Sequence, residues 1–345
     1  MSSMLKARAL WLAAAAAAIG CLSFPVAVEA QNTTLSNCTL EAQYGSARDV
    51  CQKGRDIFAF VAPQLGVALS SGNPILGEGG TLGGWGHRAL SVRLAAAEGY
   101  LPRTAVPLSL NRGTGSNVDD FGAVRTFIPI PTADLAVGLF PGMPAGLTNI
   151  GGVDALVGVT WIPNVESGAF SLKAASASAS LSYGVRVGLL QESSFVPGVS
   201  VSVLRRKTPG QNMGYMQNDD TLQVNNILVS TNTWRAVISK RVAVLGLAAG
   251  VGRDDIDASA GAAAVINETV LGQPQRGVVK ISGLKTQTRR KTAFANVSFG
   301  VSAMRIVGEY GWSSAGDLDV RINNFGTRRP NEGYRYGSLG LTLRF

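Results

Sequence analysis

Across residues 178–190 apolar and small or polar residues change places at every step: Leu181, Tyr183, Val185, Val187 and Leu189 alternate with Ser180, Ser182, Gly184, Arg186 and Gly188. A period of two belongs to an extended strand whose two faces meet different surroundings. Met304, Ile306, Tyr310 and Trp312 alternate in the same way with Arg305, Val307 and Glu309, and Val199, Val201 and Val203 alternate with Ser200 and Ser202. A helical period would put Arg305 and Glu309 on one stripe with Trp312, which neither a lipid-facing nor a core-facing helix tolerates easily.

The alternation explains an otherwise awkward composition. The chain is 46% hydrophobic, yet past residue 30 nothing approaches the ~18 consecutive apolar residues that a membrane-spanning helix requires. Forty-two glycines, a single histidine and only 15% charged residues suit a sheet with small side chains crowded on one face better than an α/β enzyme. The apolar content excludes intrinsic disorder. Candidate strands fall at 57–69, 87–98, 127–140, 151–162, 178–190, 197–206, 221–238, 241–253, 290–302, 303–313 and 334–345, with Pro129 and Pro131 moving the third start toward Thr132. The links 191–196, 239–240 and 302–303 are short, while 163–177, 207–220, 254–289 and 314–333 are longer and polar or glycine-rich. Single-chain membrane barrels have even strand numbers and keep short turns on one side. A further strand is therefore sought in 99–126, where Thr104 to Leu110 is the candidate, or in 31–56. The expected fold is all-β: a single transmembrane antiparallel β-barrel of about 12 strands, with 10 to 14 admissible.

The two ends of the chain agree with this. In Ser338-Leu339-Gly340-Leu341-Thr342-Leu343-Arg344-Phe345, serine and glycine share one face, while Leu339, Leu341, Leu343 and Phe345 share the other. The pattern resembles the C-terminal assembly signal of bacterial outer-membrane β-barrel proteins, with Ser338, Gly340, Leu343 and Phe345 as its marks. Lys6 and Arg8 precede an apolar run from Ala9 to Gly20, and Val28-Glu29-Ala30 follows it. This reads as a secretory signal peptide over 1–30. Ala18-Ile19-Gly20-Cys21 also permits a lipoprotein box with Cys21 lipidated, although Ala18 stands where leucine is usual. The resemblance implies Sec export, an outer-membrane location, outer-membrane lipids and lipopolysaccharide as surroundings, and the barrel assembly machinery as a partner. The resulting division is a signal peptide at 1–30, a periplasmic or plug segment at 31–56 and the barrel at 57–345. Cys38 and Cys51 lie in the middle segment, and a disulfide between them would contribute about 3 kcal/mol in the chain-entropy model. Two thiols in a mobile leader are the alternative. A braced segment of this kind would resemble, in position and approximate length, the hatch of outer-membrane fatty-acid transporters.

By strand parity Arg93, Arg186, Arg206, Arg235, Arg305 and Arg344 face the interior, against Asp134, Asp154 and Glu309. Facing hydrocarbon would cost an arginine ~2 to 4 kcal/mol at mid-depth, which nearly forces the inward placement. These charges could form a network of Arg–carboxylate pairs that fills the lumen, or a basic constriction that selects anions. The small width of such a barrel favours the network. Trp161 and Trp312 would join the outer aromatic girdle and Phe345 the inner one.

Chemistry beyond this is sparse. Outer-membrane phospholipases and omptin proteases pair a histidine with a nucleophile or an activated water, and His87, in Gly84-Trp85-Gly86-His87-Arg88, has no such motif around it. No histidine or cysteine cluster suggests a transition metal, and no cofactor is expected. Asp254-Asp255-Ile256-Asp257 reads as a solvated acidic loop with, at most, weak affinity for calcium. Gly77 to Gly84 lacks the ending of a phosphate loop and reads as a flexible turn. The net charge of +9 points in an exported chain to lipid phosphates or acidic solutes, not nucleic acid. Arg205-Arg206-Lys207 and Arg289-Arg290-Lys291 are the basic groups placed to meet lipopolysaccharide. The expected function is passive passage of small or apolar solutes. The alternative is a closed structural or adhesive barrel working through its outer loops, followed by a hydrolase built on His87.

Overall fold

The computed structural model describes residues 45–345 apart from 74, 76, 103–119, 163, 168–169, 176–177, 218–219, 271–272 and 319–321. A helix, α1 (Gly45–Ser70), precedes fifteen strand segments: β1 (Arg88–Pro102), β2 (Ala123–Phe140), β3 (Met143–Ala145), β4 (Thr148–Ile150), β5 (Gly152–Trp161), β6 (Val165–Ser167), β7 (Phe170–Ala174), β8 (Ala179–Leu190), β9 (Gly198–Lys207), β10 (Gln211–Gln217), β11 (Asp220–Val242), β12 (Leu245–Val270), β13 (Gln273–Val301), β14 (Met304–Ser313) and β15 (Tyr334–Arg344). Thirteen segments form one sheet, which the pairing of β11 with β12 closes into a barrel. The last strand meets the first antiparallel, with Val92 opposite Leu341 and Leu94 opposite Leu339. Because β6, β7 and β10 prolong β5, β8 and β9, the ring counts ten strands, namely β1, β2, β5, β8, β9 and β11 to β15.

The links 141–151, 191–197, 243–244 and 302–303 share one rim with Arg88 and Phe345, whose backbones exchange hydrogen bonds of 2.7 and 3.1 Å. This is called the C-terminal rim below. The opposite, loop rim carries the ends of β6, β10, β12 and β14. The β11–β12 turn lies at 243–244 instead of the expected 239–240, so β11 reaches Val242.

Three segments expected as loops are strands. Residues 163–177 contain β6 and β7, 207–220 contain β10, and 254–289 are the far halves of β12 and β13. Near the C-terminal rim the outward residues are apolar: Leu245, Leu247 and Val251 on β12, Val297, Phe299 and Val301 on β13. Beyond the row where Trp234, Arg253 and Lys291 lie side by side, the alternation continues with its faces exchanged. Outward positions become Asp255, Asp257, Lys285 and Arg289, while Ile256, Ala258, Ala260, Ile281 and Leu284 are buried inside. A sheet leaving lipid for water has to make that exchange if something apolar still fills its interior.

What fills it is α1. The strand expected at 57–69 is instead the second half of this helix, and the boundary expected at 56/57 falls inside it. Removing that one candidate from eleven leaves ten and restores the even number. Ile57-Phe58-Ala59-Phe60-Val61-Ala62 is apolar at every position, so no period distinguished strand from helix. Residues 51–54 and 56–71 are buried all round, as expected of a helix enclosed by a wall. Pro63 lies within α1 and costs it one backbone donor. The neighbouring Gln64 side chain donates to the Phe60 carbonyl at 2.9 Å and joins α1 to β1, donating to the Tyr100 carbonyl at 3.0 Å and accepting from the Tyr100 N–H at 2.5 Å. That part of the β1 edge lies beyond the reach of β15, whose pairing ends at Ala97. Space for the helix comes from small inward residues on the far half of β12: Ala258, Ala260, Ala262 and Ala264. Cys51 is disulfide-bonded; Cys38, Cys21, the whole 1–30 segment and the strand candidate Thr104 to Leu110 lie outside the described residues.

Candidate functional site

The lumen has two tiers. At the loop side α1 packs on an apolar inner wall of Leu222, Val224, Ile227, Ile256, Ile281 and Leu284. Its fit is close: a Cβ at Gly66 would collide with the side chain of Ile256. On the same side the Asp56 carboxylate accepts from the backbone N–H groups of Ile322 (2.9 Å) and Asn323 (2.8 Å), tying α1 to the β14–β15 loop. Below Ser70 the chain continues as an extended strap through a polar tier to the C-terminal rim.

Two arginines meet the end of the helix and a third holds the strap just below it. Arg206 donates to the carbonyls of Ser70 (3.2 Å) and Leu69 (3.5 Å), Arg235 to Ser70 (3.1 Å) and Arg93 to Asn73 (3.3 Å). The last carbonyls of a helix have no partners of their own and carry its negative end, so buried cations are held there. Gly72, at φ +82°, lets the strap turn against Arg93, where a Cβ would strike the guanidinium. Two of the three pair with carboxylates in turn: Arg93 with Asp134 at 3.4 Å and Arg235 with Asp254 at 2.8 Å. Lower down Arg186 pairs with Asp154 at 2.7 Å, and Asp154 also accepts from the Leu82 N–H at 3.2 Å. Arg305 and Arg344 both grip Glu78, Arg344 at 2.7 Å. Glu309 accepts from the Asn73 N–H (3.4 Å) and from Asn296 (3.2 Å). Gln191 brackets Thr81, accepting from its N–H at 3.0 Å and donating to its carbonyl at 2.8 Å. The segment read as a flexible turn, Gly77 to Gly84, is thus a held strap.

Every charged residue assigned to the interior from the sequence lies on the inner side: Arg93, Asp134, Asp154, Arg186, Arg206, Arg235, Arg305 and Glu309 are buried and Arg344 is half-buried at the rim. Parity missed two acids. Asp254 was placed on an outer loop and instead lies inward on β12, while Glu78 comes from the strap. With them these six arginines face five carboxylates, which narrows their basic excess from three to one. Arg290 also points inward, holding the carbonyls of Ser314, Pro330 and Glu332 at 2.6–2.9 Å. The calcium reading of 254–257 fails on geometry, because Asp254 faces the lumen while Asp255 and Asp257 face outward, and Asp255 is held by Arg253 (3.0 Å) and Arg289 (2.9 Å). His87 is exposed at the C-terminal rim in a pocket of about 340 Å³ with Arg88, Arg241, Arg305, Arg344 and Phe345. Its Nδ1 lies 3.3 Å from the Gly84 carbonyl.

The outer wall is as distinctive. Leu90, Val92 and Leu94 on β1, Leu181, Tyr183, Val185 and Leu189 on β8, Ile306, Tyr310 and Trp312 on β14, Leu339, Leu341 and Leu343 on β15, and Phe345 just past it are all exposed. An apolar surface that encircles a closed sheet belongs to a barrel seated in lipid. Ser338 and Gly340 take the inner face of β15.

No protein-family model matches the chain, and no curated relative matches it. Among solved structures it is similar to the translocator domain of autotransporter NalP from Neisseria meningitidis (12% identity, 85% of this chain and 95% of that one, TM-score 0.37). It is also similar to the outer-membrane protease OmpT from Escherichia coli (9%, 75% and 96%, TM-score 0.33) and to an outer-membrane channel from Pseudomonas putida F1 (8%, 78% and 98%, TM-score 0.31). Likenesses of this size carry no argument about function.

Proposed function

We propose that the chain is an outer-membrane β-barrel sealed along its axis by its own helix and strap, and that it serves as an anchor displaying the β11–β13 projection at the outer surface. The observation that carries this reading is the filled lumen: α1 and the described residues of the strap run from the loop rim to the C-terminal rim, with Asn73, Glu78, Gly79, Thr81 and Leu82 bonded to the wall. The closed-barrel alternative is therefore preferred to passive passage of small or apolar solutes through the axis. Short turns and Phe345 at one rim support a periplasmic C-terminal rim, reached after export through the 1–30 signal and insertion by the barrel assembly machinery. Arg205, Lys207, Arg289 and Lys291 point outward at the loop end of the apolar belt, where lipopolysaccharide phosphates would meet them. In this reading His87 is a rim residue whose Nδ1 lies against the Gly84 carbonyl.

Single-channel recording of the refolded, heat-modifiable full chain tests the seal. Silence is expected, and discrete steps with anion preference would overturn it. Orientation is tested separately on intact cells, where a Lys285→Cys variant should react with a membrane-impermeant maleimide.

A further inference from the structure

The wall of the barrel is incomplete at one seam. β2 pairs with β1 along its whole length, from Arg88 opposite Val137 to Pro102 opposite Ala123. Its pairing with β5 stops at Thr132 opposite Thr160, and β6, which prolongs β5, pairs only with β7. Among the described residues nothing pairs with Ala123–Pro131 on the β5 side. The cause can be read from the backbone. The Gly138 N–H donates to the His87 carbonyl at 2.9 Å, and the β1–β2 register runs on without a shift. Even-numbered residues of β2 therefore turn their peptide groups to β1, and odd-numbered residues turn theirs to β5. Pro129 and Pro131 are odd-numbered and have no N–H to give, so the ladder ends where they begin.

Above that point the seam parts into an apolar cleft lined by Thr126, Phe127, Ile128 and Pro129 on one side, Ile162, Leu172 and Met213 on the other, and Val61 and Leu65 of α1 behind. Phe127 is 62% exposed at the mouth, whereas Ile162, Leu172, Val61 and Leu65 are buried within. The cleft continues the lipid-facing belt, with Leu94 outward on the adjacent β1 and Trp161 at the end of β5. Just above the mouth Arg125 lies 5.6 Å over the Phe127 ring and 2.8 Å from Glu98, at the height where a lipid's polar portion begins. The space is narrow, about 40 Å³. One water needs roughly 10–15 Å³ on this measure, so the cleft takes the end of one unbranched chain and no ring system. Among the described residues Thr126 is the one polar side chain that lines the cleft, and the exposed Leu94, Leu135 and Trp161 beside it are apolar.

We propose that this cleft is a lateral binding site for a single acyl chain of a membrane lipid, entering between β2 and β5 and ending against Val61 and Leu65 of α1. The site is in the wall, so it stands whether or not the axis is sealed. The test uses the full chain in vesicles containing a phosphatidylcholine with a photoactivatable diazirine at the chain end, with labelled residues mapped by mass spectrometry. Labelling of α1 at Val61 and Leu65, residues that the wall otherwise shields, is the expected result. Labelling confined to outward belt residues such as Leu135 and Val157 would overturn the proposal. In a Leu172→Trp variant, which fills the cleft, α1 labelling should be lost while belt labelling remains, in protein shown to be folded by its heat-modifiable mobility. Unchanged α1 labelling in that variant would refute entry through the seam. Pro129→Val/Pro131→Val, which restores the missing donors, should act like the filled cleft. If a free fatty acid bearing the same diazirine labels α1 and the phospholipid does not, the assignment to a membrane lipid fails.

Discussion

Replacing Asp254 by asparagine separates the buried pair seen in the lumen from the solvated acidic loop that the sequence suggests. Asp254 is fully buried; its Oδ1 accepts from Arg235 at 2.8 Å and Thr233 at 2.8 Å, and its Oδ2 from Arg235 at 3.2 Å. The change leaves Arg235 charged in a site 2% exposed. Removing one partner of a buried pair costs about 3–5 kcal/mol. Asparagine keeps one acceptor oxygen, so the lower end, about 3 kcal/mol, is expected, and the folding equilibrium would fall roughly a hundredfold. A solvated loop residue would change stability by less than about 0.5 kcal/mol. Reversible urea unfolding in lipid vesicles, followed by tryptophan fluorescence, measures the difference at unchanged slope. Asp255→Asn is the internal control: this carboxylate is 40% exposed beside Arg253 and Arg289, and such pairs contribute about 0–1 kcal/mol. The double variant Arg235→Gln/Asp254→Asn should recover part of the loss, with a coupling energy of about 2 kcal/mol. Equal effects at 254 and 255, or additivity in the double variant, would refute the buried-pair account.

Other consequences follow from the same contacts. Arg206→Gln should weaken the end of α1 by about 1 kcal/mol, seen as faster amide exchange in residues 66–71 with β9 exchange unchanged; equal protection would mean Arg206 does not hold the helix end. Gly66→Leu should displace α1 from Ile256 at a cost of about 1–3 kcal/mol, exposing the helix to protease while the barrel keeps its heat-modifiable mobility. An α1 as resistant as in the native chain would count against the close fit. Cys51 should react with an alkylating reagent in denaturant after reduction and not before, and reaction without reductant would exclude its disulfide.

The wall was legible because lipid imposes a strict period of two: nine of the charged residues, from Arg93 to Arg344, lie on the inner side that parity gave them. The extramembrane halves were not, since the alternation there exchanges faces. Asp255 and Asp257 then look like loop residues, although Ile256, Ala258 and Ala260 between and after them keep the strand period. The prolines misled in a more specific way. Pro129 and Pro131 suggest that β2 begins at Thr132, whereas they end only its second partnership and leave the first intact, because a proline removes a donor from one edge of a strand. Edges are a property of the sheet, and one chain's sequence does not display them.

The helix was missed for a different reason. A stretch such as Ile57–Leu69 satisfies a buried strand and a buried helix alike, with Pro63 weighing against both. The deciding information lay elsewhere in the chain, in inward residues too small for the space that ten strands enclose. Ala258, Ala260, Ala262 and Ala264 on one strand leave room that α1 occupies, with Gly54 of the helix facing Ala262. A closed wall lined by such residues must hold water, pack its own long side chains, or be filled from outside the wall. The arginines below Ser70 do not favour water: Arg206 and Arg235 point at the carbonyls of a helix end and Arg93 at the Asn73 carbonyl of the strap, and cations directed to the middle of a lumen need a negative partner there. Ile57–Leu69 belongs to none of the ten ring strands and is apolar enough to fill the rest, so the wall itself selects helix over strand for it.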